Sequence, residues 1–207
     1  MWPVDRLTDE DQRMLWPDEI WPQEIAVLAV LDGGCLAGQG GRLRIEMVRD
    51  VIAARLHLVP RFRELLYVPR PGLGRPLWVD APAFDLADHV QVFPVPDPGD
   101  ETALLRAAEQ LRCRRLDRSR PLWQMWLLPG LAEGQVGMFA KIHHVIGDAT
   151  AGLAALAALL DAAPSAPAGP APPWTPAPPP TARDLLADNR ATTPPGWATP
   201  ARRWPIR

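Results

Sequence analysis

The sequence is poor in cysteine and in long apolar runs. Its two cysteines, Cys35 and Cys113, are far apart and show no Cys-x-x-Cys or Cys/His spacing. A disulfide framework and a structural zinc site are therefore not expected. No stretch approaches the roughly 18 apolar residues that a membrane-spanning helix needs. The first residues carry charges where a secretory signal would have an apolar core. These absences predict a cytoplasmic protein without a bound metal.

Basic charge is also scarce. The 22 arginines and lysines are outnumbered by 24 acidic residues, and the formal net charge is -2. Proteins that bind nucleic acid neutralise its phosphates with an excess of basic side chains. Nucleic acid is therefore not expected as a partner.

Apolar residues, in contrast, make up 47% of the chain, which is enough for a packed core. The nearly continuous apolar run EIAVLAVL at 24–31 predicts a strand that is covered on both faces. Apolar residues at helical spacing, or at strand-like alternation, predict helices at 43–56, 101–115 and 151–161 and further strands at 84–93, 122–128 and 135–144. Because helices and strands interleave, we expect an α/β fold, a two-layer mixed sheet with helices.

The composition changes at residue 164. Of the 26 prolines, 13 lie in the last 44 residues. Such a segment lacks regular backbone donors, so we expect a folded region at 1–163 and an extended Pro/Ala-rich linker at 164–207, with a short helix near 182–189. Three tryptophans of this segment should be exposed unless a partner covers them: Trp174, Trp197 and Trp204.

The stretch KIHHVIGDA at 141–149 lies where a predicted strand meets a predicted helix. Side chains alternate along a strand, so His143 and His144 should point to opposite faces, which argues against joint binding of one metal. One imidazole can then orient the backbone while the other acts as a general base near neutral pH. Asp148 can cap the following helix or pair with an arginine. The residues alone leave a catalytic pair and two ordinary core or surface histidines equally open.

Three segments resemble one family of enzymes. HHVIGDA at 143–149 is similar to the HHxxxDG motif of coenzyme A-dependent acyltransferases and peptide-synthetase condensation domains. LDRSRPLW at 116–123 resembles the RPLW element, and FDLADHV at 84–90 resembles the FDLDxHV segment, of the bacterial wax ester synthase/diacylglycerol acyltransferase branch. Three elements in the same order are more specific than one, and the resemblance covers nearly the whole chain.

The resemblance implies the N-terminal half of a fold like that of chloramphenicol acetyltransferase, in which two related halves meet around a tunnel. We expect the C-terminal half to be absent from this chain and a separate polypeptide to be able to supply it. By resemblance, His144 is the general base that deprotonates diacylglycerol or a long-chain alcohol for attack on an acyl-CoA thioester. His143 and Asp148 have orienting or structural roles. Acyl-CoA is a substrate, no bound cofactor is expected, and no cofactor-binding residues are identified.

The same resemblance suggests that apolar residues beside His144 line the acyl path. The arginines at 112–120 are expected to form a solvated helix end, with contact to a coenzyme A phosphate or to the Asp148 carboxylate as the alternative. Peripheral contact with a membrane or lipid-droplet surface stays open. The motif glycine is replaced by Ala149. If that position needs a positive φ, the methyl group costs about 1–2 kcal/mol; otherwise it only narrows the site.

Two other functions stay open. One is a non-catalytic half-domain that binds lipid or a partner chain, and the other is condensation or small-molecule acetyl transfer on the same scaffold, because the HHxxxDG motif alone does not fix the acceptor.

Overall fold

The computed structural model describes residues 4–15, 17–18, 20–36, 38, 42–160 and 172–192. Its helices and strands, in chain order, are α1 (Asp9–Leu15), β1 (Glu24–Leu31), α2 (Ile45–Arg55), β2 (Glu64–Tyr67), β3 (Leu77–Asp80), α3 (Leu86–His89), β4 (Val90–Val92), α4 (Glu101–Arg112), β5 (Trp123–Leu128), β6 (Val136–His143), α5 (Ala149–Leu159) and α6 (Ala182–Thr192). Short 3-10 turns at Leu56–Leu58 and Pro60–Arg63 connect α2 to β2.

The main sheet is mixed and has four strands in the order β1-β6-β5-β4. β6 pairs antiparallel with both β1 and β5, whereas β4 is parallel to β5. A parallel pair needs a long crossover, and α4 lies in the connection between β4 and β5. β2 and β3 form a separate antiparallel hairpin. The α/β class with a mixed sheet is confirmed.

Helices cover both faces of this sheet. Every residue of β6 is buried. One face of β6, which includes Met138, Ala140 and Ile142, packs in the core cluster that also holds residues of α2 and α5. Phe139 on the other face packs against α4. The sheet therefore has helical cover on each side, beyond the two layers expected, because both faces of its central strands are apolar.

β1 has the bounds that the sequence predicts, but it is not covered on both faces. Ala26 and Val30 are exposed. Within the described residues, β1 is an edge strand that pairs with β6 alone. The apolar run correctly predicts a strand. How much of that strand is buried depends on which other helices and strands pack against it.

The predicted strand at 84–93 is partly wrong. Its first half forms the short helix α3, and only Val90–Val92 is a strand. The cause is a local cap: the Asp85 side chain accepts a hydrogen bond from the backbone N–H of Ala87 at 2.8 Å, which starts a helical turn. His89 therefore ends a helix rather than lying within a strand. It is buried, and its Nδ1 lies 2.8 Å from the carbonyl oxygen of Trp123.

Residues 172–192 pack on the body of the protein. The guanidinium group of Arg63 lies 4.5 Å from the ring centre of Trp174. The rings of Trp174 and Phe84 are nearly perpendicular, with their centres 6.4 Å apart. In α6, Leu185 is buried and Asp188 forms a 2.6 Å ion pair with Arg6. The chain's own body is thus the partner that covers Trp174, and the helix predicted at 182–189 is confirmed. The predicted boundary at 163/164, Trp197 and Trp204 lie outside the described residues.

Candidate active site

The HHVIGDA segment forms a turn that links β6 to α5. His143 is the last residue of β6, and His144 is the first residue of the turn, so the strand ends one residue earlier than predicted. Asp148 immediately precedes α5. The junction of strand and helix that the sequence predicts is therefore present, with the two histidines on either side of the strand end.

His143 is buried, and its side chain shapes the turn. Its Nδ1 accepts a hydrogen bond from the backbone N–H of Val145 at 3.0 Å. Its Nε2 lies 3.0 Å from Oδ1 of Asp18, although the ring N–H is not aligned well enough with that oxygen for a hydrogen bond. Burial lowers the pKa of His143 against the opposing effect of Asp18, so the imidazole is held in its neutral form.

Asp18 supplies a buried carboxylate to this site. Its Oδ1 accepts the backbone N–H of Gln23 at 2.9 Å, and its Oδ2 accepts Nη2 of Arg118 at 2.7 Å. Burial alone would raise the pKa of Asp18, but the bond from Gln23 and the neighbouring His143 and Arg118 bring it below its ordinary value. Asp18 is therefore ionised at neutral pH. The sequence analysis missed this residue, because nothing in the residues around position 18 links it to the distant motif.

Acid should destabilise the protein. Burial lowers the pKa values of both His89 and His143. The unfolded chain, whose imidazoles have a pKa of about 6.5, then binds protons that the folded protein does not. The two neutral imidazoles therefore contribute fully to the free energy of unfolding above about pH 6.5. This contribution is lost as the pH falls toward the pKa values that the imidazoles have in the folded protein. Urea denaturation between about pH 7 and pH 5 should show a decreasing free energy of unfolding. A constant value over this range would contradict the expectation.

His144 is held by its backbone at the rim of the sheet. Its N–H donates to the carbonyl oxygen of Gln23 at 2.7 Å, and its carbonyl oxygen accepts the N–H of Gly147 at 3.2 Å. In contrast to His143, the residue is only partly buried. The fold thus fixes the main chain of His144 and leaves the residue partly exposed, as a group that exchanges protons with a substrate requires.

Asp148 caps α5. Its Oδ1 accepts the backbone N–H of Ala151 at 2.8 Å, which satisfies one of the free donors at the helix start. Of the two roles open from sequence, the structure places Asp148 in the first. Ala149 is the first residue of α5 and does not have a positive φ. Its methyl group therefore costs no backbone strain, and the consequence of replacing glycine is steric.

An apolar cavity of about 190 Å³ lies between β1, β6 and α5. Its wall includes Ile25, Ile142, Ala149 and Leu156. α5 approaches β6 closely at Gly152, where an added Cβ would lie 2.8 Å from Cδ1 of Ile142. The cavity is on the face of β6 that carries Ile142, the residue two positions before His144, so an apolar space adjoins the strand end.

A buried ion pair supports the same end of β6. Nζ of Lys141, the chain's single lysine, lies 2.8 Å from Oε2 of Glu24 in β1. Lys141 also donates to the carbonyl oxygens of Leu111 in the last turn of α4 and of Arg114 just after it. Glu24 accepts a hydrogen bond from the backbone N–H of Leu116 at 2.9 Å. The end of α4 is thereby tied to β1 and β6. A lone lysine inside an apolar strand was the available sequence signal for this network.

The arginines at 112–120 are mostly engaged within the protein. Arg112 pairs with Glu109 at 2.6 Å on the surface of α4, and Arg118 pairs with Asp18. Arg120 pairs with Asp88 and Asp117. The cluster thus includes the solvated helix end expected at Arg112. A contact with a coenzyme A phosphate stays a prediction.

Across the described ranges, no group of three or more His, Cys, Asp or Glu side chains is placed to hold a metal ion. In the same residues, no helix has the length and apolarity needed to cross a bilayer.

Residues 21–198 match the sequence profile of the wax ester synthase/diacylglycerol acyltransferase catalytic domain. A putative diacylglycerol O-acyltransferase of Mycobacterium bovis is 41% identical over 106 residues, which cover 51% of this chain and 23% of the relative. A probable diacylglycerol O-acyltransferase of Mycobacterium tuberculosis is 34% identical over 112 residues, which cover 54% of this chain and 41% of the relative. The matched part of the chain thus spans less than half the length of these relatives.

Solved structures show the same relationship at the level of the fold. The wax ester synthase/diacylglycerol acyltransferase of Marinobacter aquaeolei VT8 superposes with a TM-score of 0.60 at 25% identity, covering 73% of this chain and 36% of that one. A mutant starter condensation domain of rhizomide synthetase, solved in complex with C8-CoA, gives a TM-score of 0.57 at 13% identity, covering 75% of this chain and 34% of that one. The described fold is therefore the one that these acyltransferases and condensation domains share.

Proposed function

Because the chain belongs to the wax ester synthase/diacylglycerol acyltransferase family, we propose that it provides the histidine-bearing part of an O-acyltransferase. The reaction is transfer of a fatty acyl group from acyl-CoA to diacylglycerol or a long-chain alcohol, giving triacylglycerol or wax ester. One observation carries the proposal: a partly exposed His144 is fixed by its backbone at the end of β6, two residues after Ile142, which lines an apolar cavity.

His144 acts as the general base in this proposal. Its imidazole takes the proton of the acceptor hydroxyl as the oxygen attacks the thioester carbonyl carbon. The tetrahedral intermediate collapses with loss of the thiolate of coenzyme A, which receives the proton back from the imidazolium. The products are an ester and free coenzyme A, and no acyl-enzyme forms. His143 and Asp148 hold the turn on either side of the base, through Val145 and Ala151 respectively.

The apolar cavity between β1, β6 and α5 is a candidate for the acyl path. Its wall is formed by aliphatic side chains, which favour a hydrocarbon chain over water. The methyl group of Ala149 lies in this wall and narrows it. A diacylglycerol or long-chain alcohol is itself sparingly soluble, so contact with a membrane or lipid-droplet surface forms part of the proposal.

We also propose that the chain has two regions with different roles. Residues 1–163 form the half-domain that carries the histidines, and residues 164–207 form a Pro/Ala-rich linker whose described part, 172–192, packs on that half-domain. The relatives are longer than the part that this chain matches, and a C-terminal half, on the same or a separate polypeptide, would complete the tunnel.

A coupled assay tests the proposed activity. Purified protein is incubated with a long-chain acyl-CoA and either diacylglycerol or a long-chain alcohol, and free thiol is followed over time. Thiol release that requires the acceptor, together with ester formed in equal amount, supports O-acyl transfer. Binding of acyl-CoA or lipid without acceptor-dependent thiol release would instead support the non-catalytic half-domain.

A further inference from the structure

One loop contacts both histidines of the motif. Residues 17–18 and 20–23 precede β1, and two of them contact the last residue of β6 and the first residue of the turn that follows. Asp18 lies beside the ring of His143, while the carbonyl oxygen of Gln23 accepts the backbone N–H of His144. The loop thus touches each histidine at a different group, a side chain in one case and the main chain in the other.

The hydrogen bond of Val145 fixes the tautomer of His143. A backbone N–H can donate only to an unprotonated ring nitrogen, so Nδ1 must carry the lone pair. The proton of the neutral imidazole is then on Nε2, the nitrogen 3.0 Å from Oδ1 of Asp18. A carboxylate at that distance favours a proton on the facing nitrogen and disfavours a lone pair there. Asp18 therefore favours the tautomer that the turn requires.

The same carboxylate orients the main-chain contact to His144. Oδ1 of Asp18 accepts the N–H of Gln23 at 2.9 Å, and the carbonyl oxygen of Gln23 holds His144 at 2.7 Å. Asp18 is in turn held by Arg118, which binds its other oxygen. The side chain of Asp18 is 12% exposed, so water competes little for its oxygens.

We propose that Asp18 is a positioning residue for His144. It selects the Nε2–H tautomer of His143, which preserves the Val145 bond, and it orients Gln23, which anchors the backbone of His144. Asp18 itself does not touch the substrate. The inference rests on the proposed function, because the position of His144 affects the reaction rate only if His144 is the general base.

The test is Asp18→Asn in the full chain, with two readouts. Nitrogen NMR of the histidine side chains reports the tautomer: His143 should be almost entirely Nε2–H in the unmodified protein, and the variant should show a mixture with Nδ1–H. In the thiol-release assay, kcat should fall roughly 10- to 100-fold with little change in KM, because misplacement of a base affects the transition state more than substrate binding.

The matched control is Asp50→Asn, the same change at an exposed carboxylate of α2, which should leave the tautomer and kcat unchanged. Arg118→Gln weakens the support of Asp18 and should shift both readouts in the same direction by a smaller amount, so the idea stays testable if Asp18→Asn fails to fold. An unchanged tautomer, or a shifted tautomer with unchanged kcat, overturns the role of Asp18. If the unmodified protein releases no thiol, the proposed function is overturned instead. The NMR measurement still tests the effect of Asp18 on the tautomer of His143, because it does not depend on activity.

Discussion

Replacing His144 with alanine should lower kcat for acceptor-dependent thiol release by roughly 10²- to 10⁴-fold, the usual contribution of a general base. The fold should persist, because the hydrogen bonds that fix this residue run through its backbone to Gln23 and Gly147. Initial rates at saturating acyl-CoA and acceptor measure the effect, and circular dichroism checks that the variant is folded.

The matched control is His57→Ala. His57 is exposed in the 3-10 turn after α2, so its removal should leave the rate within about twofold of the unmodified protein, as for surface substitutions in general. Activity that survives His144→Ala unchanged would remove this imidazole from the mechanism.

The largest expected loss of stability comes from Trp123→Ala. Trp123 is 1% exposed, and its ring stacks between Phe62 and His89 with both centroid distances at 4.7 Å. Its indole N–H donates to the carbonyl oxygen of Phe62 at 2.8 Å. Truncation would leave a cavity and an unpaired buried carbonyl, so the free energy of unfolding should fall by about 3–5 kcal/mol. Urea denaturation followed by circular dichroism measures it.

Trp21→Ala provides the comparison for the same residue type. Trp21 is 72% exposed, and its removal should change the free energy of unfolding by no more than about 0.5 kcal/mol. Equal losses for the two variants would mean that the aromatic stack around Trp123 contributes no more than a surface side chain.

Most long elements could be predicted from sequence. The apolar run at 24–31 gives the bounds of β1, and helical spacing predicts α2, α4 and α5 to within a few residues. These signals are local, because they depend on the 2- and 3.6-residue periods of a single segment. The hairpin of β2 and β3 was missed, since each strand has only four residues, too few to show a period.

The candidate site was only half predictable. The motif at 143–149 carries its own signal, and the structure places its histidines at the end of a strand and its aspartate at a helix start. Asp18 and Gln23 carry none. They reach the motif because β1 pairs antiparallel with β6, with Glu24 opposite His143, which brings the loop before β1 against the turn after β6.

The sequence by itself determined the fold class, the position of the histidine pair and the family, because apolar periods, caps and motifs lie within short segments. The tertiary structure alone decided that β1 is an edge strand, that Trp174 packs against Arg63 and Phe84, and which carboxylate faces His143. The physical reason is that such contacts join segments far apart in the chain. Their partners are set by how the strands pair and the helices pack, which no local pattern of residues encodes.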